Sequence, residues 1–318
     1  MSNPYWKQYQ WSNISAMLRN NKAIPKQESK DFEGKLVVIT GATSGIGYET
    51  ARLYARHGAS LLLINRSKEK SEKLKAELER EFKGIYSYVI ADFSKLSDIH
   101  AAADHLASLE QDITVLIHNA GVYNTHKRFT GDGIEEVFQV NYLAPFIITY
   151  KLQDKLMGQH HARILYVNSE GHRFALAGLK LDDLRWDKQH YTGLKSYGSA
   201  KTAQLLSLFP FSRNFAGSNV TINAMHPGDV LTNMGENNGR LYKFFKHRVI
   251  NPSSRSPLLS AQALYYLGVS EEVEGLTGKF FNFTTLEIPA PHALDEGVAR
   301  QLWQVSLQMA GLLVDERA

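Results

Sequence analysis

From Lys35 onward the chain alternates short unbroken apolar runs with longer segments whose apolar residues recur at helical spacing. The runs Leu36–Thr40, Leu61–Asn65, Tyr86–Ala91, Val115–His118, Ile164–Asn168 and Val220–Ala224 predict strands, with a last one near Lys279–Phe283. Strands that are apolar on both faces fit a parallel sheet covered on both sides. Tyr48–His57, Lys68–Phe82, Ile134–Met157 and Tyr197–Phe215 are the helix-length segments between them. Repeated βα units with right-handed crossovers give an α/β fold: a single-domain, doubly wound parallel sheet with helices on both faces. Ligands of such sheets sit beyond the carboxyl ends of the strands, and most of the unusual polar motifs follow a strand end.

Residues 1–33 stand apart from this pattern as an appendage to the 34–318 domain. They are polar but carry Tyr5, Trp6, Trp11, Ile14, Met17 and Leu18, of which positions 11, 14, 17 and 18 share one helical face. That face suits a helix packed on the domain or on another subunit; the alternative is contact with a membrane surface. The chain has no cysteine, which excludes disulfides, thiolate catalysis and cysteine-ligated metal. It has no apolar stretch of about 18 residues and no apolar signal-peptide core near its start, so a soluble cytoplasmic protein is expected. A net charge of +4 without zinc-finger spacing or a basic stripe gives no support for a nucleic-acid partner.

The run Thr40-Gly41-Ala42-Thr43-Ser44-Gly45-Ile46-Gly47 follows the first strand and leads into a helical pattern. Glycines there let the backbone turn tightly and approach a pyrophosphate at a helix N-terminus, as in Rossmann-type sites. Gly41, Ser44, Gly45, Ile46 and Gly47 are the expected contacts. The spacing is G-x-x-x-G-x-G, and this variant resembles the short-chain dehydrogenase/reductase family. The second strand ends at Asn65-Arg66, with no carboxylate before Glu69. A carboxylate would repel a ribose 2′-phosphate, whereas a guanidinium binds it bidentately. Arg66 therefore points to NADP(H) rather than NAD(H), the alternative being a solvated residue at a helix start.

Further motifs follow later strands. Asp92-Phe93 resembles the family's adenine-binding position, with Asp92 on the amino group and the next N–H assisting; Asp92 as a helix cap is the alternative. His118-Asn119-Ala120-Gly121 resembles the family's Asn-Asn-Ala-Gly, with His in the first place, and implies that Asn119, Ala120 and Gly121 border the cofactor ribose. No neighbouring ligands suggest a metal at His118, and no metal site is expected elsewhere. Pro227-Gly228 and Thr232 resemble the elements that hold the nicotinamide carboxamide.

Tyr197-Gly198-Ser199-Ala200-Lys201 opens a helix, and its four-residue spacing puts Tyr197 and Lys201 on one face. Carbonyl reduction needs a group that protonates an alkoxide. Tyrosine, with a pKa of about 10, needs a nearby ammonium to work near neutrality. Lys201 supplies that charge and reaches ribose hydroxyls. Ser169, at the end of the fifth strand, is placed to hold the developing oxyanion. Asn141 lies inside a helix, where Asn is neutral to unfavourable; in the family it supports a helix irregularity and a water linked to the lysine. The resemblance spans roughly residues 34–312. Asp132-Gly133-Ile134-Glu135, Ser169-Glu170-Gly171-His172-Arg173-Phe174 and Ala224-Met225-His226-Pro227-Gly228 resemble the retinol-dehydrogenase and WW-domain-oxidoreductase branch.

The stretch after Ser169 carries Phe174, Leu176, Leu179, Leu184, Trp186 and Tyr191, a candidate substrate wall. Residues 232–257, with Leu241–Arg248 mixing aromatics and cations, are a candidate lid; an amphipathic surface helix is the alternative. Together these features indicate an NADP(H)-dependent oxidoreductase acting on a carbonyl or alcohol of a fairly large apolar substrate. A cofactor-binding regulatory or scaffold protein with little turnover is the second reading. The resemblance also implies a homo-oligomer, assembled through the helices that contain Asn141 and Tyr197.

Overall fold

The structure, a computed structural model, describes residues 4–228 and 255–313. Strands β1 (Leu36–Thr40), β2 (Ser60–Asn65), β3 (Tyr86–Ile90), β4 (Ile113–His118), β5 (Ala162–Val167), β6 (Val220–His226), β7 (Phe280–Asn282) and β8 (Thr285–Glu287) form one sheet. Their order is β3-β2-β1-β4-β5-β6-β7-β8, so the direction of winding reverses between β1 and β4. The carboxyl ends at that switch point carry Gly41 and Asn119, where a doubly wound sheet opens a crevice for a ligand. All neighbours are parallel except β7 and β8, whose antiparallel pairing departs from the wholly parallel expectation.

Alternation along the strands explains the unbroken apolar runs. Val37 and Ile39 enter one core with Leu61, Leu63, Val115 and Ile117. Leu36 and Val38 enter the other with Leu62, Ile64 and Leu116. Successive side chains point to opposite faces, and both faces are covered, so every position is apolar.

The helices are α1 (Trp11–Asn20), α2 (Gly45–Arg56), α3 (Lys68–Glu81), α4 (Leu96–Ala107), α5 (Glu136–Phe138), α6 (Ala144–Lys151), α7 (Gln153–Met157), α8 (Gly193–Asn214), α9 (Pro257–Val269) and α10 (Glu296–Met309). Helices α2, α3 and α9 cover the first face of the sheet, and α4, α6 and α8 the second. Helix α10 lies outside α6 and α8, with the Trp303 ring edge-on to Phe146 and Phe211 at 5.0 and 4.9 Å. The single helix expected over Ile134–Met157 is instead α5, a π-helical turn over Gln139–Leu143, α6 and α7.

The N-terminal segment runs along the body of the protein. Its helix does not pack through the expected apolar stripe: Trp11 and Leu18 are 84% and 58% exposed, while Asn20 is buried. Polar contacts hold it instead. Arg255 donates to the Asn21 and Ala23 carbonyls at 3.2 and 2.8 Å, and Tyr265 to the Lys30 carbonyl at 2.6 Å. Among the described residues no helix is long and apolar enough to cross a membrane.

Candidate active site

The turn after β1 depends on glycine. Gly41 and Gly45 have φ of +71° and +57°, a region that other residues enter at a cost. A Cβ at Gly41 would lie 2.9 Å from Ala120 Cα, and one at Gly47 2.4 Å from the Gly41 carbonyl and 2.5 Å from Asn119 Nδ2. The loops after β1 and β4 are thus in contact, and side chains lock them together. Thr40 Oγ1 accepts the N–H groups of Asn119 and Ala120, both at 3.0 Å. Asn119 Nδ2 donates to the carbonyls of Thr40 and Gly41 at 3.1 and 2.9 Å. Asn65 Oδ1 accepts the Ala42 N–H at 2.7 Å. Sequence reasoning gave Thr40 and Asn65 no such building role.

Ser44 precedes α2 in an extended conformation, and its side chain does not cap the helix. The first-turn amides of Gly45, Ile46 and Gly47 therefore lack acceptors within the helix and sit at its positive end. Asn65 Nδ2, buried beside this turn, also has no partner among the described residues. This unspent donor set fits the diphosphate of a dinucleotide. Arg66 follows β2 and is exposed. Asp92 Oδ1 accepts from the N–H and hydroxyl of Ser94 at 3.0 and 2.8 Å. Because Lys95 occupies the N-cap of α4, the alternative of Asp92 as that helix's cap does not hold. Phe93 buries its ring in the core. His118 hydrogen-bonds Thr149 Oγ1 at 3.0 Å, and burial holds its pKa at about 3. Among the described residues no group of three or more His, Asp or Glu is disposed to hold a metal.

Ser169 and Tyr197 meet across Gly171. A Cβ at Gly171 would come within 2.8 Å of Tyr197 Cε1 and 3.1 Å of Ser169 Oγ, so only glycine permits this approach. Both residues are half-buried, whereas Lys201 and Asn141 are buried. Lys201 Nζ lies 5.6 Å from the centre of the Tyr197 ring and donates to the Val167 carbonyl at 2.8 Å and to Gln204 Oε1 at 3.3 Å. Burial lowers its pKa to about 7. Asn141 sits in the π-helical turn, where Oδ1 accepts the Val122 N–H at 2.7 Å and Nδ2 donates to the Val122 carbonyl at 2.9 Å. The Tyr123 ring stands edge-on to Tyr197 at 5.8 Å.

The Pro227-Gly228 turn is gripped from beneath. Gly228 has φ of +77°, and a Cβ there would lie 2.3 Å from Phe283 Cζ. Ser260 donates to the Pro227 carbonyl at 2.7 Å, and the Glu170 N–H donates to His226 Nδ1 at 3.2 Å. Thr232 and residues 232–254 of the candidate lid lie outside the described residues. The candidate substrate wall divides. Leu179 and Trp186 are core residues, and Tyr191 hydrogen-bonds the Asn124 carbonyl and Glu135, both at 3.3 Å. Phe174 and Leu176 remain about half exposed, at 52% and 50%. Gly171, Tyr123, Gln204 and Phe283 are site neighbours to which sequence reasoning gave no role. Gln204 alone left a signal, as a polar residue one helical turn beyond Lys201.

Residues 35–180 match the family model described as short chain dehydrogenase. Human retinol dehydrogenase 13 is 37% identical over 287 residues, covering 88% of this chain and 85% of that protein. The human WW domain-containing oxidoreductase is 33% identical over 285 residues, covering 88% and 69% respectively. Among solved structures, an uncharacterised protein from Mycobacterium paratuberculosis superposes with a TM-score of 0.70 at 26% identity, over 90% of this chain and 98% of that one. A short-chain dehydrogenase from Burkholderia cenocepacia in complex with NADP shares the fold, with a TM-score of 0.62 at 20% identity over 81% and 98%.

Proposed function

The chain belongs to the short-chain dehydrogenase/reductase family, and from that premise we propose that it is an NADP(H)-dependent oxidoreductase that interconverts the carbonyl and alcohol forms of a fairly large apolar substrate. The observation that carries this reading is the meeting of Ser169 and Tyr197 across Gly171, beside the buried Lys201.

A reduced nicotinamide, when bound, supplies the hydride that the carbonyl carbon accepts. Gly45, Ile46 and Gly47 hold the diphosphate through their amides, and Asn119, Ala120 and Gly121 line the ribose. Asp92 and the Phe93 main chain meet the adenine, Pro227, Gly228 and Thr232 the carboxamide. Ser169 donates a hydrogen bond to the substrate oxygen and holds it as negative charge grows. Tyr197 transfers its phenolic proton to that oxygen, giving the alcohol, and the Lys201 ammonium stabilises the phenolate left behind. The reverse direction returns the proton to Tyr197. Asn141 holds the Val122 main chain and so fixes the loop that begins at Asn119. The exposed Phe174, on the segment covering Gly198, gives the substrate side an apolar surface.

The test is a titration of the purified chain with NADPH and NADH, followed by a carbonyl screen. NADPH should bind the more tightly. Arg66→Ala should weaken NADPH binding by about ten- to a hundredfold and leave NADH unchanged, as expected for loss of a charge-assisted contact to phosphate. Tyr197→Phe should retain NADPH affinity while turnover falls by about a hundredfold or more. A folded chain that binds neither cofactor would sink the reading.

A further inference from the structure

The segment from Ser169 to Gly178 is packed between α8 and the N-terminal segment. On the α8 side, a Cβ at Gly198 would lie 2.8 Å from the Gly171 carbonyl, and Thr202 Oγ1 donates to the His172 carbonyl at 3.2 Å. On the other side three contacts lead back to the first residues of the chain.

The first runs through two buried histidines. His172 Nε2 accepts the Ala290 N–H at 3.0 Å, which places the ring proton on Nδ1, and Nδ1 donates to the Ser169 carbonyl at 2.8 Å. His292 Nε2 donates to the His172 carbonyl at 3.0 Å, so His292 Nδ1 is the acceptor of the Tyr9 hydroxyl at 3.2 Å. Burial holds both imidazoles below the ordinary histidine range, in keeping with these neutral tautomers. Donors therefore run in one direction from Tyr9 through His292 and His172 to Ser169.

The second contact is ionic. Asn20 Nδ2 donates to Glu287 Oε2 at 2.8 Å, Arg173 Nη2 donates to Glu287 Oε1 at 3.0 Å, and Arg173 also pairs with Glu170. In the third, the Tyr5 ring fills the space over Gly178, where a Cβ would lie 2.8 Å from Tyr5 Cε2, and the Tyr5 hydroxyl donates to Asp295 at 3.0 Å. The N-terminal segment thus reaches both ends of the Ser169–Gly178 loop as well as its middle.

We propose that residues 5–21 are a specificity-determining strap, whose links through Tyr9 and Asn20 fix the Ser169–Gly178 loop and thereby the fit of a bulky substrate against Phe174 and Leu176. The proposal rests on the assignment of Ser169 and Tyr197 to the substrate site. The strap residues are positioning residues, because none of them touches the reacting atoms.

The test uses the full chain with Tyr9→Phe and Asn20→Ala combined, and Tyr9→Phe alone should the pair fail to fold. Hydrogen–deuterium exchange across 169–178 should quicken about fivefold or more, while β1 and α2 keep their protection. The KM for a large apolar carbonyl should rise about fivefold or more, with kcat within about twofold and NADPH affinity unchanged. Unaltered exchange across 169–178 overturns the proposal, whatever the activity. A fall in kcat at unchanged KM also overturns it. Failure of the unaltered chain to bind NADPH would instead sink the functional reading, and the exchange result would still decide whether the strap fixes the loop.

Discussion

At Gln204 one amide meets three residues of the site. Its Nε2 donates to the Asn141 carbonyl at 2.7 Å, and its Oε1 accepts from Asn168 Nδ2 at 2.9 Å and Lys201 Nζ at 3.3 Å. The family resemblance implies a water between Asn141 and the lysine, whereas here a side chain spans them. An amide orients the ammonium but does not pass a proton along as water does, so its effect on Lys201 is electrostatic. Burial already holds Lys201 at about pKa 7. Gln204→Leu removes an acceptor from the charged form and should lower that value further. The alkaline limb of kcat/KM for carbonyl reduction should then move down by about half to one pH unit, the equivalent of one hydrogen bond. Gln204→Glu should move it up. A pH profile unchanged in both variants would show that Lys201 does not depend on this contact. The helix carrying Tyr197 and Lys201 is readable from their spacing, but Gln204's partner Asn141 lies 63 positions away, and only the folded sheet brings the two together.

Among the elements, legibility follows how evenly each is buried. Strands β1 to β6 are apolar throughout because two layers of helices cover them, and their runs stand out in the sequence. Helix α9 is buried nearly all round and so presents no stripe of 3.6-residue period. Strand β8 has three residues, too few to show a period of two. The stripe at positions 11, 14, 17 and 18 is real as a pattern, yet α1 docks through Asn20. The break over Gln139–Leu143 was foreshadowed only by Asn141 in a helix interior. This wider turn gives the Asn141 amide the whole main chain of Val122, both N–H and carbonyl, and so ties the loop after β4 to the helical layer. Asn141→Leu strands both groups and should cost about 2–4 kcal/mol. Denaturant unfolding should show a lower midpoint at unchanged slope, and NADPH should bind more weakly because the Asn119–Val122 loop loses its anchor. An unchanged midpoint would mean that the π-helical turn is held by packing alone.

For the whole molecule, the position of α10 constrains assembly. The resemblance places the homo-oligomer interface on the helices that contain Asn141 and Tyr197, yet the chain covers α6 and α8 with its own C-terminal helix. Trp303 fills the space between Phe146 and Phe211, Tyr142 shares a hydrogen bond with Ser306 at 2.6 Å, and His100 Nε2 donates to the Ala310 carbonyl at 2.9 Å. Helix α8 is apolar nearly all round because the sheet lies on one side of it and α10 on the other. A homo-oligomer of this chain must therefore use a different face. Trp303→Ala should cost about 3 kcal/mol, from lost burial and the cavity left between the two phenylalanines. It should also loosen α10 enough to expose the apolar face beneath, so that sedimentation of the variant becomes concentration-dependent. Cross-links between copies of the unaltered chain should avoid α6 and α8. Links that map to those two helices would mean that α10 swings aside in the assembled protein, and the covered face would then be the interface itself.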